Sequence, residues 1–261
     1  MLNLVQGFIF MKRLIYLLIS VFCLNADECY PNNSVYISPE VYRVKRERKG
    51  GTIQKGTLGG VRVGYDRLKR YGWYVGLEGN YGYGTLKGHN AGEDTIKSHF
   101  SDLWADVRFG YTFQQKCGFR LAFTPFIGVG YGQERNEFIS PSPLHLHFKT
   151  KYRFVEAGFL SSAQLTENLN VGLRFKALFP YEPKCDVSND PNHNPVRQNI
   201  GERFQYRVDV PIIYSLCEPF EIGLVPFYEY RLFGSHVNYP FDYFKTKILI
   251  WGAMIKTEYN Y

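Results

Sequence analysis

The 261-residue chain predicts an all-β fold, a closed antiparallel transmembrane β-barrel of ten strands. Three observations predict it. Ten segments alternate apolar and polar residues, and a strand turns successive side chains to opposite faces, so one parity meets lipid while the other lines a polar interior. The connections between segments alternate short with long, and aromatic residues of the apolar parity gather toward both segment ends. A bilayer offers the backbone no water, so a span built of strands must close on itself.

The chain opens on its only long apolar run. Lys12 and Arg13 precede Leu14 to Leu24, and Ala26 supplies the small residue at which a signal peptide is cleaved. Met11 fits a true start, with Met1 to Phe10 as an upstream extension. The run is about half the roughly 20 apolar residues an anchoring helix needs, and no lipobox precedes Cys23 or Cys29. Residues 1–26 are therefore expected to be extension and signal peptide, and residues 27–261 the barrel. Loss of that leader removes two bases and no acid, leaving 29 bases against 24 acids, a net +5. The excess is scattered, and no basic helix or basic-aromatic block points to nucleic acid. Slightly polar mean hydropathy excludes a bundle of membrane helices but not a barrel, whose alternation hides apolar positions among polar ones.

After a lead-in over Asp27 to Asn33, strands are expected at 35–46, 56–66, 71–86, 98–113, 118–134, 148–163, 168–179, 202–216, 219–233 and 246–261. The first and sixth carry the weaker alternation. The second sets Tyr65 against Arg62 and Asp66, and the third sets Tyr71, Trp73, Val75, Leu77, Tyr81 and Tyr83 against Gly72, Gly76, Glu78, Asn80, Gly82 and Gly84. In the fourth, Leu103, Ala105, Val107, Phe109, Tyr111 and Phe113 oppose Asp102, Asp106, Arg108 and Gly110. The fifth is the cleanest: Phe119, Leu121, Phe123, Pro125, Ile127, Val129 and Tyr131 share one face, Arg120, Thr124, Gly128, Gly130, Gly132 and Glu134 the other. The seventh sets Phe179 against Arg174 and Lys176. The eighth sets Phe204, Tyr206, Val208, Val210, Ile212 and Tyr214 against Arg207 and Asp209, and the ninth sets Phe220, Tyr228 and Tyr230 against Glu229 and Arg231.

Arg67–Arg70, Gln114–Cys117, Gln164–Glu167 and Cys217–Glu218 read as tight turns. Glu47–Lys55, Lys87–Lys97, Arg135–His147, Pro180–Gly201 and Gly234–Lys245 read as long polar loops. Short periplasmic turns and longer external loops are the order of an outer-membrane barrel. The mature chain keeps Cys29, Cys117, Cys185 and Cys217. Cys185 falls in a loop at the opposite end from the other three, too far for a bridge; a Cys29–Cys217 bridge and cross-links to envelope proteins both stay open.

The last segment alternates Leu249, Trp251, Ala253, Ile255, Thr257, Tyr259 and Tyr261. It resembles the terminal strand of bacterial outer-membrane barrel proteins, and the resemblance extends over the whole mature chain as a pattern. It implies recognition by the barrel assembly machinery through Trp251, Tyr259 and Tyr261, and a setting in outer-membrane lipid. Tyr261 stands where Phe is commoner. The ten-stranded members of that group include omptin proteases and opacity-type adhesins.

The interior parity carries the candidate site, a charge network of Arg62, Glu78, Asp102, Asp106, Arg108, Arg120, Arg174, Arg207, Asp209, Glu229 and Arg231. Near balance of sign favours mutual pairing in an interior filled by its own side chains. The Gly128, Gly130, Gly132 series sits inside a strand and opens no helix, so it is no dinucleotide loop. Omptins work through acidic pairs and an Asp–His couple at the rim. The rim here offers Asp94, His99, His145, His147, Asp186, Asp190, His193, His236 and Asp242 without Asp-x-His spacing. No catalytic, cofactor or metal residue is assigned, and no cofactor is expected. The favoured function is a non-enzymatic barrel whose external loops bind a host surface or envelope protein, with Pro180–Gly201 the richest recognition loop. A narrow porin-like solute channel is the alternative. A rim-active protease or lipid hydrolase, the latter using His99 and Ser101, ranks below both.

Overall fold

A computed structural model describes residues 31–261 except 70–71, 118, 144, 218 and 237–241. The expected leader and Cys29 lie outside the described residues. Twelve strands form: β1 (Pro31–Arg48), β2 (Thr52–Lys69), β3 (Gly72–His89), β4 (Thr95–Cys117), β5 (Phe119–Ile139), β6 (His147–Gln164), β7 (Leu169–Ser188), β8 (Val196–Asn199), β9 (Gln205–Asp209), β10 (Ile212–Cys217), β11 (Phe220–Phe233) and β12 (Thr246–Asn260). Antiparallel pairing runs in chain order from β1 to β7. It closes where β12 pairs β1, from Ser34 opposite Asn260 to Arg48 opposite Thr246. No described helix is long and apolar enough to cross a membrane; the crossing elements are strands.

Ten staves make the wall, because β9 and β10 together are one of them. Both bridge β7 to β11. The sequence predicts one unbroken strand there, and the structure divides it at Val210–Pro211. Proline has no N–H to give the ladder. The wall stays sealed because Val210 donates to the Pro226 carbonyl at 2.9 Å and Gly172 donates to the Pro211 carbonyl at 2.8 Å. The weakly patterned first and sixth segments are both full 18-residue strands.

Parity decides what each stave shows. Ile127 is 67% exposed and Val129 57%, while Thr124 and Phe126 between strand neighbours are buried. Exposed Trp73, Tyr111, Phe113, Tyr214, Phe220, Tyr259 and Tyr261 mark the turn end; exposed Tyr81, Tyr83, Tyr131, Phe179, Phe204, Tyr228 and Trp251 mark the other. Aromatic rings with polar tips suit the two membrane interfaces. Inside, large rings lie over the glycines of neighbouring strands. A Cβ added at Gly130 would fall 2.2 Å from the Phe154 ring, and one at Gly132 would fall 2.3 Å from Tyr152.

Four of the five long external loops expected from the sequence are in part strand. Glu47–Lys55 contracts to a turn at 49–51, where Gly50 and Gly51 take φ of 105° and 92°, a region glycine enters without steric cost. Pro180–Gly201 is the extended end of β7 paired to β8 through Lys184–Asn199 to Val187–Val196. Cys185, expected in that loop, is a buried interior residue of β7. The reason is an inversion of polarity. Beyond the aromatic band the alternation continues with its signs exchanged. Val44, Leu86, Ile96, Phe100, Phe138, Phe148, Val187 and Ile248 turn inward as one apolar core, while Lys45, Lys55, Lys87, Lys97, Lys149 and Lys184 take the outward parity. The charged outward parity here suits water and polar headgroups rather than hydrocarbon, so burying apolar groups inward is the favourable arrangement.

Candidate functional site

The interior below that core is filled by ions. Glu78, on β3, is the centre of the cluster nearer the turn end. It accepts from Arg62 at 2.7 Å, Arg174 at 2.6 Å and Lys176 at 3.1 Å, and from the Tyr36 hydroxyl. Lys176 also donates to Asp106 at 2.8 Å, and Arg108 lies 3.1 Å from Asp106 and 3.5 Å from Asp66. Asp66 is further held by the Tyr74 hydroxyl at 2.7 Å.

A second cluster sits nearer the external end. Arg231 grips Asp102 with both terminal nitrogens at 2.7 and 2.9 Å and donates to Glu134 at 2.9 Å and Glu229 at 2.5 Å. Arg207 joins Glu229 at 2.9 Å to Asp209 at 2.9 Å. Trp104 lies between the clusters, with the Arg62 guanidinium 4.8 Å and the Lys176 ammonium 4.5 Å from its ring centre. Above, Gln54 donates to Ser98 at 2.7 Å and accepts from Asn136 at 3.2 Å. Period-2 alternation brings these groups together, since i, i+2 residues of each stave share one face.

Of the residues assigned from sequence, the Arg120 side chain falls outside the described residues. Ten others, Arg62, Glu78, Asp102, Asp106, Arg108, Arg174, Arg207, Asp209, Glu229 and Arg231, meet in these two clusters. Sequence reasoning missed Glu40, which accepts from Arg62 at 3.1 Å, because β1 was weakly patterned; its even parity beside Tyr36 and Tyr42 was the available signal. The space left among Trp104, Tyr152, Phe154, Glu156, Lys176 and Arg231 is about 10 Å³, roughly one water. Glu78, Asp102 and Glu229 are tied to guanidinium groups around this closed space, while both oxygens of Glu156, on its edge, have no described hydrogen-bond partner.

At the outer rim, Asp190 and His193 meet at 3.2 Å within one surface turn. The Asn192 backbone N–H, then His193, holds the Asp190 carboxyl below the usual range. Asn189 donates to the His145 carbonyl at 2.7 Å and lies 3.5 Å from the His147 ring nitrogen. His99 stacks on Tyr83 at 5.7 Å, and its Nδ1 is buried without a hydrogen-bond partner; no described hydrogen bond joins it to Ser101. No group of described residues has the make-up of a metal site. Cys185 and Cys217 are both free thiols; the Cys117 side chain lies outside the described residues. At the seam, Tyr259 packs between Phe220 at 5.2 Å and Tyr261 at 6.2 Å.

An antiparallel barrel with an apolar wall, interfacial aromatic bands and an ion-paired interior defines an integral membrane barrel of the outer-membrane class. The family model described as outer membrane protein beta-barrel domain matches residues 14–193, and the chain belongs to that family. Among solved structures, the outer membrane protease OmpT of Escherichia coli is similar in fold, with a TM-score of 0.56 at 10% identity over 91% of this chain and 99% of that one. The transport unit of the Escherichia coli autotransporter AIDA-I gives 0.45 at 10% identity, over 93% of this chain and 94% of that one. The attachment invasion locus protein Ail of Yersinia pestis gives 0.37 at 12% identity, over 87% and 99%. No curated protein matches the sequence.

Proposed function

We propose that this outer-membrane barrel is a non-conducting, non-enzymatic scaffold that presents its external hairpins to a binding partner at the cell surface. The observation that carries this reading is the filled lumen: two ion-paired clusters with about 10 Å³ between them, capped by the apolar core of the hairpins. A channel needs a continuous wet path, and a solute would have to separate Arg231 from Asp102, Glu134 and Glu229 to pass. Rim catalysis is disfavoured by the placement of Asp190 and His193 in a single surface turn. The paired stems hold short tips, among them 90–94 and 189–195, where recognition is least costly to the fold. On this reading the leader is removed near Ala26, outer-membrane lipid surrounds the wall, and the assembly machinery reads Trp251, Tyr259 and Tyr261.

Two measurements test it. Reconstituted into a planar bilayer, the barrel is expected to stay silent; discrete conductance steps would overturn the closed lumen. Cells displaying the barrel are expected to adhere to host-cell monolayers or matrix-coated wells above the empty-vector level. Exchange of residues 189–195 for Asn-Gly is expected to lower that adhesion without changing surface abundance. Equal adhesion by vector and barrel would overturn the binding reading.

A further inference from the structure

The outward face carries a row of four lysines, three of which have no described ion-pair partner. Lys45 lies directly opposite Lys55, Lys55 opposite Lys87, and Lys87 opposite Lys97, across the four adjacent strands β1 to β4. Neighbouring strands are about 4.8 Å apart, so the row spans roughly 14 Å. Like charges directly opposite on one face of a sheet are destabilising. Glu47 partners Lys45 and lies 3.7 Å from Lys247, and these lysines, Lys45 first, hold its carboxyl below the usual range. No ion pair among the described residues involves Lys55, Lys87 or Lys97, whereas Lys45 has Glu47. Three repelling ammonium groups in register call for an anion from outside the chain.

The row's position says which anion. On β3, Lys87 follows the exposed band residues Tyr81 and Tyr83 on the same parity. At the other end of the row, Lys45 pairs Leu249, one outward-facing step beyond the Arg43–Trp251 pair, and Trp251 belongs to the interfacial band. Barrel strands tilt by about 35–45°, so a row perpendicular to them slopes from the edge of the aromatic band outward through the headgroup layer. Lysine stems lie along apolar surface and lift their charges to that layer.

We infer that Lys55, Lys87 and Lys97, with Lys45 at the membrane edge, form a binding rung for the phosphate groups of anionic lipid in the surrounding leaflet. The lipid phosphates supply the missing negative charge, and each acyl chain lies on the wall formed by Val41, Val61 and Leu103. The inference rests on the membrane placement of the barrel and is independent of whether the hairpin tips bind a partner.

The test uses the full barrel refolded in phosphatidylcholine vesicles, alone or doped with phosphatidic acid or with uncharged diacylglycerol, and a Lys55→Gln/Lys87→Gln/Lys97→Gln variant. Phosphatidic acid is expected to raise the unfolding temperature of the wild type, and to be retained over diacylglycerol on detergent extraction by about tenfold at low salt. Both effects are expected to shrink at high ionic strength and to vanish in the variant. In pure phosphatidylcholine the variant is expected to unfold at the same temperature or higher, since it loses only repulsion. A variant that unfolds lower there would make the lysines structural and overturn the proposal. Equal retention of phosphatidic acid by variant and wild type would do the same, as would an equal rise in unfolding temperature with inorganic phosphate alone.

Discussion

At the residue scale the interior is an arrangement of charges that tolerates little editing. Arg231 is the shared cation of Asp102, Glu134 and Glu229. Arg231→Ala leaves three buried carboxylates short of it, and breaking a buried pair from one side costs about 3–5 kcal/mol. A matching drop in the denaturant midpoint of the detergent-refolded barrel is expected, with Arg231→Lys in between because lysine loses the two-pronged grip on Asp102. The free thiols differ just as sharply. Burial pushes the Cys185 thiol up to about 11, so its reactive thiolate is scarce at pH 8, whereas Cys217 is exposed. A disulfide-exchange reagent at pH 8 is expected to modify Cys217 in the folded barrel and Cys185 only after denaturation. Much of this scale was legible in advance, because a charged residue on the inward parity of a membrane strand has only other such residues to meet. Their pairing was not, since neighbours such as Arg231 and Asp102 stand 129 positions apart and are matched by strand register.

At the element scale, the staves crossing the bilayer were readable because period-2 alternation there has a constant sense. The external hairpins were not readable as strands. Their alternation is as regular, but lysine stands outside and leucine inside, so a local excess of polar residues resembled loop. The break at Val210–Pro211 was equally hidden, because Pro211 falls on the inward parity of an otherwise intact pattern. This anatomy separates tips from stems. Exchange of residues 189–195 for an Asn-Gly turn touches no part of the packed core and is expected to change stability by no more than about 0.5 kcal/mol, with heat-modifiable gel mobility retained. Val187→Asp, in the stem of the same hairpin, places a charge among Phe148, Cys185 and Ile248 in the apolar core. It is expected to be strongly destabilising in the same assay.

For the whole molecule, one continuous sheet serves two solvents. Its lower part is apolar outward and ionic inward; its upper part is charged outward and apolar inward. Stability therefore draws on lipid in one region and on water in the other. Since denaturant weakens burial from water most directly, the paired ends of β7 and β8 are expected to lose protection first. Amide hydrogen exchange at low denaturant would show Lys184 to Val187 and Val196 to Asn199 exchanging before the 123–131 stretch of β5. Simultaneous exchange would mean a single cooperative unit.

The inverted upper part also imposes a direction on biogenesis. Leu86, Phe100, Phe138, Phe148, Val187 and Ile248 acquire their mutual contacts only on the far side of the membrane from where the polypeptide is delivered. The hairpins bearing Lys55, Lys87 and Lys149 must therefore be translocated before their greasy faces can collapse together. Packing of that core after translocation is expected to oppose its return through the bilayer, so core-breaking variants such as Val187→Asp are expected to be extracted from the membrane more readily than the wild type.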